Sequence, residues 1–96
     1  MRLRFTLRAL GDLNSIHNYL SERSISGPAK VGGAIQRATE NIRSFPKGGK
    51  LAGLDHVRVM PVGGYPYLIY WEIGADEVRI LHIRHAARIP WPGETK

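Results

Sequence analysis

A chain of 96 residues without cysteine fits one domain, 1–96, with no disulfide framework and no thiol chemistry. Its 43% hydrophobic content is too high for a disordered chain, and no run approaches the roughly 18–20 apolar residues of a membrane span. Fourteen Lys and Arg against eight Asp and Glu leave a net charge of +6, which favours polyanions or acidic proteins through steering and counterion release.

The N-terminal segment alternates, with Leu3, Phe5 and Leu7 on one side and Arg2, Arg4 and Thr6 on the other, which predicts a half-buried edge strand. Arg2, Arg4 and Arg8 interrupt the apolar residues, so there is no signal-peptide core and a cytoplasmic location is expected. From Ala9 to Leu20 the period changes: Leu10, Leu13, Ile16, Tyr19 and Leu20 draw an apolar stripe along a first helix. Polar Ser21 to Ser26 reads as a turn. Pro28 suits the first position of a second helix, whose stripe is Val31, Ile35, Ala38, Ile42 and Phe45. Gly32 and Gly33 weaken that helix by about 1 kcal/mol each, and close packing against the first helix is the expected compensation. Pro46 ends it.

The segment PKGGKLAG, Pro46 to Gly53, lacks the GxxxxGK[ST] arrangement and reads as a flexible basic connector. Three strands follow: Asp55 to Val62, Tyr65 to Ile73 after a Gly63-Gly64 hairpin turn, and Glu77 to His85 after Gly74-Ala75-Asp76. Pro90 and Pro92 make the remainder a short tail. The expected fold is therefore α+β: an N-terminal strand, then a two-helix hairpin packed on one face of a small, mostly antiparallel sheet of about four strands. The opposite sheet face should be left uncovered, carrying part of the arginine supply.

The ordered set of motifs resembles the RelE/ParE toxin superfamily, on its ParE-like branch. The likeness rests on Ala9-x-x-Asp12-Leu13-x-x-Ile16-x-x-Tyr19-Leu20, on Arg58 ahead of a hairpin, and on Tyr65, Tyr67 and Tyr70. It continues through the final strand from Val78 to His85 and on to Arg88. It implies a toxin of a type II toxin–antitoxin system, held in a hetero-oligomer by a cognate antitoxin. Two activities are implied: ParE-like poisoning of DNA gyrase by binding, or RelE-like cleavage of mRNA on the ribosome. A third outcome is a partner-binding domain that keeps the fold without toxicity.

Cleavage requires a base, cations for the phosphorane charge and an acid. The resemblance places Arg58 and Arg88 on basic positions of the RelE-like set, with His85 as a candidate acid–base. The second basic position of that strand falls at Met60, the hairpin arginine falls at Tyr67, and the tail tyrosine has no counterpart beyond Trp91. Non-enzymatic binding is therefore the first expectation, through Arg58, Arg79, Arg84, His85, Arg88 and Trp91. The arginines would offer fixed donors. Trp91 either packs on the sheet edge or anchors a partner. No cofactor, metal or membrane is expected: His82 and His85 are three apart in a strand and point to opposite faces. Asp12, Ser15 and His17 share no triad geometry on a helix. Tyr67, Ile69, Trp71 and Ile73 share a face that reads as core rather than as a base-stacking platform.

Overall fold

In the computed structural model, which describes residues 1–53 and 56–87, the order is β1 (Arg2–Phe5), α1 (Leu7–Ser21), α2 (Gly27–Ser44), β2 (Lys50–Leu51), β3 (Val57–Pro61), β4 (Tyr67–Ile73) and β5 (Glu77–His85). The five strands form one sheet in the order β1-β5-β4-β3-β2. Only the β1–β5 pair is parallel; the other three are antiparallel. The fifth strand arises inside the segment expected to be a connector. Lys50 and Leu51 pair with Val59 and Arg58, a nonlocal contact that no period in a Gly-rich stretch reveals.

β1 is shorter than its alternation suggests, because Thr6 starts the helix. Its hydroxyl accepts from Ala9 N–H at 3.1 Å and donates to the Ile80 carbonyl at 3.1 Å, capping α1 and tying it to β5. The stripe α1 buries is Ala9, Leu13, Ile16 and Leu20, at four-three-four spacing. Leu10 and Tyr19, expected in the stripe, are exposed, and Tyr19 lies under the Arg23 guanidinium at 3.7 Å. The apolar arc of α1 is wide enough for two overlapping stripes, and the position of the Thr6 cap selects between them. On α2 the buried residues are Val31, Ala34, Ile35, Thr39 and Ile42; Phe45, past the last turn, is exposed.

The helices close over one face of the sheet, where Tyr67, Ile69, Trp71, Val78, Ile80 and Ile83 complete the main core. Burial of each large aliphatic or aromatic side chain contributes about 1.5–3 kcal/mol. The opposite face does not remain open. Ala52, Val57, Val59 and Tyr70 form a second buried cluster there, with Leu68 and Leu81 packed against it. The expectation of an uncovered arginine-bearing face is therefore corrected. On that side Val57, Val59 and Tyr70 are at most 6% exposed, and the arginines are engaged, as described below.

Two local details position the functional surfaces. The β4–β5 register slips at Tyr70/Trp71, so that Tyr70 faces His82 and Trp71 faces Ile80, leaving Leu81 as a bulged residue. Without the bulge, period two would carry His82 and Arg84 into the helix-facing core; with it, Ile83 takes that place. At the β3–β4 turn, Gly64 takes φ +82 and the loop closes by Val62 N–H to the Tyr67 carbonyl at 2.9 Å, so Tyr65 belongs to the turn and β4 starts at Tyr67.

Candidate functional site

β1 covers β5 only from Glu77 to Ile80, so the rest of that edge, Leu81 to His85, lies beyond its reach. α1 takes over there. Asp12 Oδ2 accepts the Ile83 backbone N–H at 3.0 Å and lies 2.7 Å from His82 Nδ1, so one carboxylate replaces the missing strand partner. Arg8 Nε also approaches His82 Nδ1, at 3.2 Å. One nitrogen cannot both donate to Asp12 and accept from Arg8. The shorter, charge-assisted contact places the proton on Nδ1, donated to Asp12. The His82 ring stacks on Tyr70 at 5.7 Å. A cleft of about 900 Å³ opens beside these groups, lined by Asp12, Tyr19, Tyr67, His82, Arg84 and His85 among others.

Arg84 is only 8% exposed, in contrast to a free surface cation. Its Nε donates to the Tyr70 hydroxyl at 2.9 Å and its Nη1 to the His85 and Ala86 carbonyls at 3.1 and 3.3 Å, so the guanidinium clasps the end of β5. Arg79 donates to Glu72 and Glu77, each at 2.8 Å. Glu77 also receives Arg4 at 3.2 Å. The hydrogen bond from Arg79 holds the Glu77 carboxyl below the usual carboxylate range; desolvation opposes this and Arg4 reinforces it. In return Glu77, then Glu72, raises Arg79 further above its ordinary value. Arg58 donates to the Lys47 carbonyl at 3.0 Å, bracing the segment after α2. His85 meets Tyr67 edge-on at 5.5 Å, and its Nδ1 accepts from Ala87 N–H at 3.1 Å. Arg88 and Trp91 lie outside the described residues.

Of the candidates for a cleavage site, the two that lie among the described residues, Arg58 and His85, stand apart on the sheet. Arg58 faces Trp71 and His85 faces Tyr67, two strands and four residues apart. Strand spacing and rise then separate their Cα atoms by about 17 Å. Arg84 and Arg79 sit on the opposite face from both, through their pairings with Leu68 and Glu72. His82 and His85 also take opposite faces, as their spacing requires. The contact that the sequence concealed is Asp12–His82, seventy residues apart; its only sequence signal is the doubled Ile80-Leu81, which marks the phase shift in β5.

A second concavity, about 600 Å³, runs between the helices and β1. It is lined by Leu3 and Phe5 of β1, Leu13, Ile16 and Leu20 of α1, and Val31 and Ile35 of α2. Gly32 lines it too, and a Cβ there would meet nothing within 4 Å, so tight packing against α1 does not account for this glycine; it keeps the groove wall low.

Comparison with known proteins places these features in a family. Residues 3–90 match the model of the ParE toxin of the type II toxin–antitoxin system parDE. Among curated proteins, the chain is 32% identical over 91 residues to the putative toxin Y4kP of Sinorhizobium fredii, covering 95% of this chain and 93% of that one. It is also 32% identical over 87 residues to the toxin RelE2 of Caulobacter vibrioides, covering 88% and 94%. Among solved structures, the chromosomal ParDE system of P. aeruginosa superposes with a TM-score of 0.67 at 23% identity, covering 88% of this chain and 95% of that chain. The isolated E. coli RelE toxin superposes at 0.63 with 14% identity, covering 92% and 86%; at these identities both share the fold. With nearly its whole length matched and the two-helix, mixed-sheet architecture in common, the chain belongs to the ParE toxin family of type II toxin–antitoxin systems.

Proposed function

We propose that this toxin arrests growth by binding DNA gyrase in the cytoplasm, and that a cognate antitoxin neutralises it by filling the apolar groove between α1, α2 and β1. The single observation that carries the first part is the scatter of the acid–base candidates. The Cα atoms of Arg58 and His85 stand about 17 Å apart, and each side chain is turned to a neighbour of its own, Arg58 to the Lys47 carbonyl and His85 to Tyr67 and the Ala87 N–H. Proton transfer needs its groups within about 3 Å of the reacting atoms. Arg79 and Arg84, which would supply cations, are spent on Glu72, Glu77 and Tyr70. What remains is a surface suited to binding.

The antitoxin reading rests on the groove. Its walls are partly exposed leucine, isoleucine and phenylalanine side chains, with the low point at Gly32. An amphipathic helix laid there would insert its apolar face between α1 and α2. Arg79, Arg84, His85 and Arg58 would act on partners indirectly, by holding the strand end and the loop that partners touch.

The test is expression from a controlled promoter without antitoxin, followed by two assays on the arrested cells and purified protein. Inhibition of gyrase supercoiling with intact message supports the reading. Codon-phased cuts in cellular mRNA, seen by primer extension, with gyrase unaffected, would replace it with ribosome-dependent cleavage, in which Arg58, Arg88 and His85 would have to act. Unimpaired growth would mark a partner-binding domain that has lost toxicity.

A further inference from the structure

Residues 45–51, which follow α2, are held far more firmly than a connector requires. The indole N–H of buried Trp71 donates to the Pro46 carbonyl at 2.9 Å, Arg58 donates to the Lys47 carbonyl at 3.0 Å, and Gly48 N–H closes a turn on the Phe45 carbonyl at 3.0 Å. Gly49 takes φ +68 so that the backbone can pass against Trp71 and the Val59 carbonyl. Lys50 and Leu51 then join the sheet edge.

This rigid platform presents apolar side chains to solvent. Phe45 is 68% exposed and Leu51 is 64% exposed. The register sets Leu51 opposite Arg58, which faces Trp71, so Leu51 shares the helix-bearing side of the sheet on which α2 ends at Phe45. Lys47 is exposed in the stretch between them, and exposed Lys50, paired with Val59, projects from the other side of the same edge strand; among the described residues neither has a carboxylate within ion-pairing distance. Two apolar anchors with cations beside them along the β2 edge, on a preorganised backbone, are the makings of a docking surface, because little conformational freedom is lost on binding.

We propose that Phe45, Lys47, Lys50 and Leu51 form the target-docking surface of this toxin, and that its occupant is an acidic protein surface bearing apolar side chains. Charge complementarity selects the sign of the partner. The anchors favour protein over nucleic acid, since Leu51 offers no ring face and Phe45 offers one, whereas single strands are held on several aromatic side chains that stack successive bases. This inference rests on the reading that the toxin acts by binding gyrase, and it identifies the face that would do so.

The experiment measures binding of antitoxin-free toxin to purified gyrase holoenzyme and, separately, to antitoxin and to RNA and DNA oligonucleotides. Phe45→Ser with Leu51→Ser should weaken gyrase binding at least about tenfold, as loss of interface anchors does. Lys47→Glu with Lys50→Glu should weaken it comparably and flatten its salt dependence. Lys30→Glu, about 22 Å away along α2, should bind gyrase as the parent does. An unchanged far-ultraviolet circular dichroism spectrum and cooperative urea unfolding of both double variants report an intact fold. Parent and double variants binding gyrase alike would overturn the docking surface while leaving gyrase as the target. A parent that does not bind gyrase would overturn both. A loss confined to oligonucleotide binding would assign the platform to nucleic acid and overturn the proposal.

Discussion

Replacing Asp12 by Ala tests the most consequential side-chain contact in the sheet. Asp12 is the acceptor for the Ile83 N–H at 3.0 Å and the partner of His82 Nδ1 at 2.7 Å, at a strand edge that β1 does not reach. Hydrogen bonds to a charged group contribute about 1.5–3 kcal/mol each. Both are only part-buried, so the lower figure applies, for a sum of about 3 kcal/mol. Alanine is the better helix former and returns about 0.5 kcal/mol within α1, leaving a net loss of about 2.5 kcal/mol. For a domain of this length the whole stability is about 5–14 kcal/mol. The corresponding fall in Tm is about 10–20 °C. Urea unfolding gives the free energy directly, and amide exchange at Ile83 should lose its protection. Asp12→Asn keeps an acceptor oxygen and should cost about half as much. A loss below about 0.5 kcal/mol for Asp12→Ala would refute the account, because it would show the β5 edge satisfied without this carboxylate.

Two further perturbations probe the ion network and the platform. Glu77 titrates below the ordinary carboxylate range in the fold, chiefly through its hydrogen bond from Arg79, so its contribution is complete above its unfolded value and is lost as pH falls through the folded one. The Tm gap between the parent and Glu77→Gln should therefore be widest above about pH 5 and should close on acidification toward about pH 3; a gap independent of pH over that range would contradict it. Arg79, raised further, stays charged throughout and adds no dependence in this window. At Gly49 a Cβ would lie 2.7 Å from Trp71 Cη2 and 2.8 Å from the Val59 carbonyl oxygen, whereas at Gly64, also at positive φ, it would meet nothing within 4 Å. Gly64→Ala should cost about 1–2 kcal/mol for its backbone alone. Gly49→Ala should cost about 1–3 kcal/mol more through the clash. Equal losses in urea titrations of the two variants would show that the platform does not press on Trp71.

Periodicity made legible whatever one element decides alone. The alternation of Tyr67, Ile69 and Trp71 gave the core face of β4, and the spacing of Val31, Ile35 and Ile42 gave that of α2. Where two registers satisfied the same residues, only a distant partner could choose. Leu10 and Tyr19 fit an α1 stripe as well as Ala9 and Leu20 do, and the Thr6 cap, tied to Ile80 and Leu81 across the sheet, decides against them. The same holds for the bulge: Val78, Ile80 and Ile83 reach one core because Leu81 is skipped, which the doubled Ile80-Leu81 hints at but does not compel. Arg84 owes its burial to another strand. A strand arginine is ordinarily solvated, and its burial depends on Tyr70, a neighbour supplied by the previous strand.

The strand order has a consequence for neutralisation. β1, whose Leu3 and Phe5 line the groove, and β2, which carries Lys50 and Leu51, are the two edges of the same five-stranded sheet. Four strand spacings separate them, about 19 Å. A helix seated only in the groove therefore leaves Phe45 and Leu51 uncovered. Neutralisation by direct overlap requires the antitoxin to continue from the groove across the sheet to the platform, through at least about six extended residues. It also requires acidic side chains at the far end of that segment, because Lys47 and Lys50 set the charge it must match.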